Sequence, residues 1–390
     1  MIPYGRQDIS EADIQAVVNV LKSDFLTQGP VVPAFEKAVA DYCDAKYAFA
    51  VNSATSALHI ACLALGVGKG DLVWTTPITF VASANCALYC GAEVDFVDID
   101  SSTYNMSVDA LEEKLIKAEK LGRLPKVVIP VHLAGQSCEM DKIFELGKKY
   151  SFSIIEDASH AIGGKYKSKA IGGCQYSDIT VFSFHPVKII TTGEGGMCLT
   201  NNPKLAISLN RYRSHGIVRQ PGEMTHPPDG PWYYQQIELG YNYRMTDIQA
   251  ALGLSQMNLL DKFVSTRHAI AKRYNELLRE EWLELPWQHP ETYSGLHLYI
   301  IRVKKNNHGI TRSQLFEKLR NAGILVNLHY IPIYKHPYYE VMGYDKSEYP
   351  QAETYYSEAI SIPMYATLTK EDQKFVVDAI KKPFGHQNLF

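Results

Sequence analysis

Val181-Phe182-Ser183-Phe184-His185-Pro186-Val187-Lys188-Ile189-Ile190-Thr191-Thr192-Gly193-Glu194-Gly195-Gly196-Met197 sets the fold of this chain. Residues 179–184 form a β-branched and aromatic run of the length of a buried strand. Pro186 ends it, because proline has no N–H to give to a ladder. Lys188 follows at once, beside an apolar pair and a glycine-rich turn. Lysine is almost never fully buried without a partner. On these residues alone two readings stay open. Lys188 snorkels out of an ordinary loop, or it is a desolvated amine of lowered pKa, able to form a Schiff base.

Outward from this stretch the same pattern repeats. Tyr47–Val51 reads as a strand that passes through Asn52-Ser53-Ala54-Thr55-Ser56 into an apolar helix ending at Leu65. Such a turn points unpaired N–H groups and the positive end of a helix dipole at an anion. The sequence has no G-x-x-x-x-G-K-[ST], so this is not a nucleotide P-loop, and no G-x-G-x-x-G follows a first strand, which argues against a NAD-linked enzyme. Further strands are expected at residues 71–75, 94–97, 126–132 and 152–155, alternating with helices that end near Gly91 or cover residues 108–120 and 140–149. Continuously apolar strands alternating with helices make an open, mostly parallel sheet covered on both faces. Ligands then sit at the carboxyl ends of strands. Ser53, Thr55, Ser56, Phe80, Asp157, His160 and Ser183 all fall at such ends.

At 390 residues, the chain is long enough for two domains. Its net charge of -3 gives no electrostatic case for nucleic acid. Seven scattered cysteines without a C-x-x-C suit a reducing cytoplasm, and Cys86 and Cys90 read as core rather than as metal ligands. The polar start is not that of a signal peptide. Residues 47–68 and 72–92 lack charge, but polar residues break both, so they read as strand, turn and helix rather than membrane spans. Helices are expected at residues 9–21 and 35–43, a solvated hairpin or loop at 165–173, and a long loop at 215–241, of the kind that is usually functional. Residues 240–251 open a long helix, and the domain change is placed near Leu260. That gives a large domain, 1–260, and a small α/β domain, 261–390.

Read together, Ser53-Ala54-Thr55-Ser56-Ala57-Leu58, Glu156-Asp157-Ala158-Ser159-His160-Ala161, Ser183-Phe184-His185-x-x-Lys188, Thr192-Gly193-Glu194-Gly195-Gly196 and Gly240-Tyr241-Asn242-Tyr243-Arg244 resemble the DegT/DnrJ/EryC1/StrS family. The resemblance covers nearly the whole chain. It implies fold type I, the aspartate aminotransferase-like α/β architecture, and pyridoxal 5′-phosphate (PLP) as cofactor, with pyridoxamine 5′-phosphate as its amino-bearing form. It implies that Lys188 carries PLP through a Schiff base and that Asp157 pairs with the pyridinium nitrogen. Phe80 would stack on the ring. Thr55, Ser56 and Ser183 would bind the phosphate, and Asn242 would reach it from the neighbouring subunit of a homodimer.

One position departs from the family. Many members have Gln where this chain has His160, in contact with the cofactor's phenolic oxygen. Histidine donates there only from the right tautomer or when charged. Retention of Lys188 favours an aminotransferase over the dehydratase members. Within the family, Leu26-Thr27-Gln28-Gly29, the His160 motif and residues 327–334 are most like the members that act in pseudaminic acid biosynthesis. That likeness implies transfer of an amino group from L-glutamate to a UDP-linked 4-keto-6-deoxy-N-acetylhexose. Thr27, Gln28, Gly29, His329 and Tyr330 would flank the sugar, and Tyr4 and Arg6 would close over it. The alternatives are a sibling aminotransferase acting on another keto sugar and, remotely, a PLP-binding regulator. The sequence contains no basic helix-turn-helix segment to support the latter.

Overall fold

A computed structural model of the chain describes residues 1–304 and 309–382. Residues 383–390, the end of the expected small domain, lie outside the described residues. The central sheet has seven strands: β1 (Tyr47–Val51), β2 (Leu72–Thr75), β3 (Glu93–Phe96), β4 (Val127–Ile129), β5 (Ser153–Asp157), β6 (Ile179–Ser183) and β7 (Gly196–Thr200). Their spatial order is β1-β7-β6-β5-β4-β2-β3. Strand β7 is antiparallel to both neighbours, and the other pairs are parallel. Every residue of β6 and β7 is buried. Cover on both faces is why these strands carry no polar alternation. The mostly parallel α/β sheet expected from the sequence is the one observed.

The helices in chain order are α1 (Glu11–Leu21), α2 (Val31–Cys43), α3 (Ala54–Ala64), α4 (Ala82–Tyr89), α5 (Val108–Leu121), α6 (Met140–Tyr150), α7 (Pro203–Tyr212), α8 (Asp247–Met257), α9 (Leu260–Leu277), α10 (Arg312–Asn321), α11 (Pro337–Glu340), α12 (Pro350–Glu358) and α13 (Lys370–Lys381). Val73, Val127 and Ile155 face α3 and α4, whereas Trp74, Val128 and Ile154 face α5 and α6. This alternation along each strand divides the core into two layers. Helix α3 is buried from Ser56 through Cys62, which explains its lack of charge. No helix among the described residues is long and apolar enough to cross a membrane.

A second, antiparallel sheet joins β8 (Leu283–Glu284), β9 (Tyr299–Val303) and β10 (Ala359–Ile362). Helix α9 serves both cores. Leu260, Phe263 and Val264 pack with residues of β6 and β7, and Ile270 and Tyr274 pack with β9 and β10. The N-terminus crosses to this side, where Ile2–Pro3 pairs with Ile324–Leu325.

Three local readings are corrected. Helix α2 begins at Val31 rather than Phe35 because Asp247 caps it from a distance. The Asp247 carboxylate accepts from the amides of Gly29 (2.7 Å), Val31 (2.8 Å) and Val32 (3.1 Å). The helix expected from residue 240 starts only at Asp247, where Thr246 and Gln249 form a capping box. Residues 242–246 instead run extended and make single bridges to Ser214, Val51 and Thr27. Finally, the long loop contains a short antiparallel ribbon of Ile217–Val218 with Gln235–Gln236.

Candidate active site

The carboxyl ends of β1, β5 and β6 open into one cavity of about 830 Å³. Strand register brings them together. Gly196 pairs with Val51 on one side and with Ser183 on the other, and Asp157 pairs with Val181. Only glycine fits at 196, since a Cβ there would stand 2.5 Å from the Ala54 nitrogen. Strand β7 therefore lies directly against the start of α3. Ser53 caps that helix, its Oγ accepting the Ser56 amide at 3.1 Å. The turn before it is held by the Asn52 amide, which donates to the Tyr243 carbonyl at 2.8 Å. The first turn leaves the amides of Ala54 and Thr55 without an intrahelical acceptor. Ser56 Oγ gives its proton to Asn52 Oδ1 at 2.6 Å and so takes that of Ser53 Oγ at 2.9 Å, which leaves the two amides and the Ser183 hydroxyl on the same cavity as a donor set that suits a phosphate ester.

Asp157, at the end of β5, is almost fully buried. Its Oδ2 accepts from Ser83 Oγ at 2.7 Å, and its Oδ1 accepts from the Ser159 amide at 3.1 Å and Ser159 Oγ at 2.5 Å. Ser83 spends its one proton on Asp157, so Thr79 Oγ1, 2.8 Å away, must donate to Ser83. A carboxylate held this way is an oriented anion, suited to a protonated ring nitrogen. Lys188 lies in the same cavity. Burial pulls its ammonium down to about 8, against the opposing pull of the Asp157 charge. The direction is that expected of a desolvated amine, and the side chain is half-buried. Phe80 also lines the cavity and is 57% exposed, so it is no core residue. Its face is available to a flat ring.

Four histidines line the cavity: His160, His185, His297 and His329. Burial, then the nearby Lys188 charge, pushes His329 down to about 3. Burial also holds His160 and His297 well below the usual imidazole range. His329 is fixed through Nδ1, 2.8 Å from Ser361 Oγ, and its ring packs against Tyr4 at 5.0 Å. Tyr330 reaches His160 Nε2 at 3.2 Å and lies 6.2 Å from the Phe80 ring.

Of the residues singled out from sequence, Tyr4, Thr55, Ser56, Phe80, Asp157, His160, Ser183, Lys188, His329 and Tyr330 share this cavity. Arg6, Thr27, Gln28, Gly29 and Asn242 do not line it. Thr27 instead bridges Thr246, and the exposed Asn242 bridges Ser214. Sequence reading missed Ser83, Ser159 and His297. The signal for Ser83 was a polar residue one helical turn beyond Thr79 in a charge-free run. His297 had no such signal.

Comparison with known proteins gives the family and the overall fold. A model of the DegT/DnrJ/EryC1/StrS aminotransferase family matches residues 7–381. A Campylobacter jejuni protein named UDP-4-amino-4,6-dideoxy-N-acetyl-beta-L-altrosamine transaminase is 39% identical over 383 residues, covering 97% of this chain and 96% of the relative. Among solved structures, Helicobacter pylori PseC, an aminotransferase of pseudaminic acid biosynthesis, superimposes with a TM-score of 0.88 at 32% identity, covering 98% of this chain and 99% of that one. The PLP form of Spr1654 from Streptococcus pneumoniae, named a putative sugar aminotransferase, superimposes with a TM-score of 0.87 at 31% identity, covering 97% of both chains.

Proposed function

This chain belongs to the DegT/DnrJ/EryC1/StrS aminotransferase family, and we propose that it moves the amino group of L-glutamate to C4 of a UDP-linked 4-keto-6-deoxy-N-acetylhexose. The product would be UDP-4-amino-4,6-dideoxy-N-acetyl-β-L-altrosamine. That the chain is a PLP-dependent sugar aminotransferase follows from the family itself. The choice of sugar is carried by one observation, the 39% identity, across almost the whole chain, to the C. jejuni relative named for that product. The near-equal likeness in fold to Spr1654 supports the second reading, a sibling enzyme acting on another keto sugar. The proposal further takes the chain as a cytoplasmic homodimer with shared sites, divided near Leu260 into a large and a small domain.

The chain's own residues would act as follows. The first α3 amides, at Ala54 and Thr55, with the Ser183 hydroxyl hold the cofactor phosphate. Phe80 covers one face of its ring, and Asp157 pairs with its nitrogen. When bound, PLP supplies the electron sink for the bond broken beside the amino group. Lys188 Nζ holds the cofactor between turnovers and, once free, takes a proton from the glutamate Cα. Burial brings the ammonium down to about 8, so part of the amine is uncharged at mildly alkaline pH. In the second half-reaction Lys188 moves the proton in the opposite sense, onto the amine-bearing carbon of the sugar.

Incubation of the purified holoenzyme with L-glutamate and a panel of nucleotide keto sugars, read by mass spectrometry, tests the proposal. The 4-amino product and 2-oxoglutarate should form fastest from the L-arabino 4-keto sugar. A higher kcat/KM for the D-xylo epimer would replace this reading by the sibling one.

A further inference from the structure

His160 is held so that only one of its ring nitrogens can carry a proton. The backbone amide of Ala134 stands 3.3 Å from His160 Nδ1. A backbone amide only donates, so Nδ1 must present a lone pair. The single proton of the neutral ring is then on Nε2, which faces the Tyr330 hydroxyl at 3.2 Å. Nε2–H donates to that oxygen. The Tyr330 hydroxyl has thereby accepted from the ring and has its own proton left to give. Both side chains line the cavity.

The turn that aims the amide is built for the purpose. Ala134 has φ 58°, in the left-handed region, within the short helical turn Leu133–Gly135. That conformation is disfavoured for a non-glycine residue, so the surroundings must impose it. They do so from both sides. The Ala134 carbonyl accepts from the Leu298 amide at 3.3 Å, and the Gly135 carbonyl accepts from the Gly295 amide at 2.9 Å. A Cβ at Gly135 would stand 2.7 Å from the Leu296 nitrogen and 2.9 Å from the His160 carbonyl, so the turn is pressed against both segments.

We propose that the Ala134 amide fixes His160 as its Nε2–H tautomer, making a one-way relay from Ala134 through His160 to Tyr330 that offers only donors to an acceptor oxygen of the bound ligand. Two such oxygens enter this cavity under the function proposed above, the phenolic oxygen of the cofactor and the ketone oxygen of the sugar. The relay's destination therefore rests on that reading, but the tautomer does not. Charged and titratable groups around the ring reinforce the neutral form. Burial comes first, followed by the Lys188 charge, with the neutral His297 packed at 4.4 Å between ring centroids. Tyr330 stays a neutral phenol because burial, and then the Asp157 charge, raises its pKa. A histidine locked this way donates to Tyr330 at every working pH, and Tyr330 in turn has its own proton to give.

The test is nitrogen NMR of the cofactor-free chain labelled at histidine, with His160→Gln used to assign the signal. We expect one protonated and one bare nitrogen at His160, the protonated one being Nε2, unchanged from about pH 5 to 9. Tyr330→Phe should leave that pattern intact, because the lock lies on the Nδ1 side. Ala134→Gly, which keeps the amide, should leave it intact too. An Nδ1–H ring, a ring that titrates between about pH 6 and 7, or a tautomer that changes in Tyr330→Phe would overturn the proposal. Adding PLP alone, and then PLP with the keto sugar, distinguishes the two acceptors. A shift of the Nε2 signal with the first assigns the phenolic oxygen, and a shift with the second alone assigns the ketone. No shift with either, in a chain that visibly binds PLP, contradicts the donor role. Failure to bind PLP at all would instead count against the proposed function and leave the tautomer result standing.

Discussion

Lys188 and Asp157 act on each other through charge, and each has a measurable consequence. The Lys188 ammonium sits near 8 because burial penalises its charge. Only the neutral amine attacks an aldehyde, so the protein's capture of free PLP should speed up as pH rises from about 6 and level off above about 8. Stopped-flow absorbance would record this. A rate still climbing tenfold per unit at pH 9 would mean that the amine is not desolvated. For Asp157, replacement by Asn keeps the shape and removes the charge. We expect Asp157→Asn to fold normally and to lose at least about 10²–10³-fold in kcat/KM, the usual cost of one preorganised polar group. Ser83→Ala removes one of the three hydrogen bonds that aim the carboxylate, so its loss should be smaller, about tenfold. An Asn variant with near-normal turnover would remove Asp157 from the chemistry.

The elements themselves were unequally legible. Strands β5 and β6 read clearly because burial on both faces leaves a mostly apolar run, whereas β7, which opens on the glycine-rich turn, was not read as a strand. The turn into α3 read clearly because small hydroxyl residues cap helices locally. The start of α2 could not be read, because its cap comes from Asp247, more than 200 positions away in the chain. The segment 242–246 was misread for a related reason. Its extended course is fixed by bridges to three distant segments rather than by its own pattern. The cavity's histidines were legible only in part. His160 and His329 stand within recognisable motifs, whereas His297 enters the wall through the fold alone. The distant cap also makes a prediction. Asp247 is fully buried and satisfies three amides. Asp247→Ala should cost about 2–4 kcal/mol, seen as a fall of several degrees in Tm, with Asp247→Asn losing less. Melting within a degree of wild type would show that α2 does not depend on this contact.

At the scale of the whole molecule, the cavity of a single chain holds most of the candidate residues but leaves Asn242 outside, exposed beside the long ribbon-bearing loop. If a second copy supplies Asn242, then mixing inactive Lys188→Ala chains with inactive Asn242→Ala chains should recover up to about a quarter of wild-type activity, through hybrids with one intact site. Proven subunit exchange without recovery would argue that each chain works alone. All of this depends on the cavity at the carboxyl ends of the central strands being the place where the cofactor is held. The most direct measurement is reduction of the PLP-loaded protein with borohydride, followed by peptide mapping by mass spectrometry. A single phosphopyridoxyl group on Lys188 is the expected result, absent from Lys188→Ala. The same label on any other lysine, with Lys188 unmodified, would contradict the assignment of this cavity as the active site.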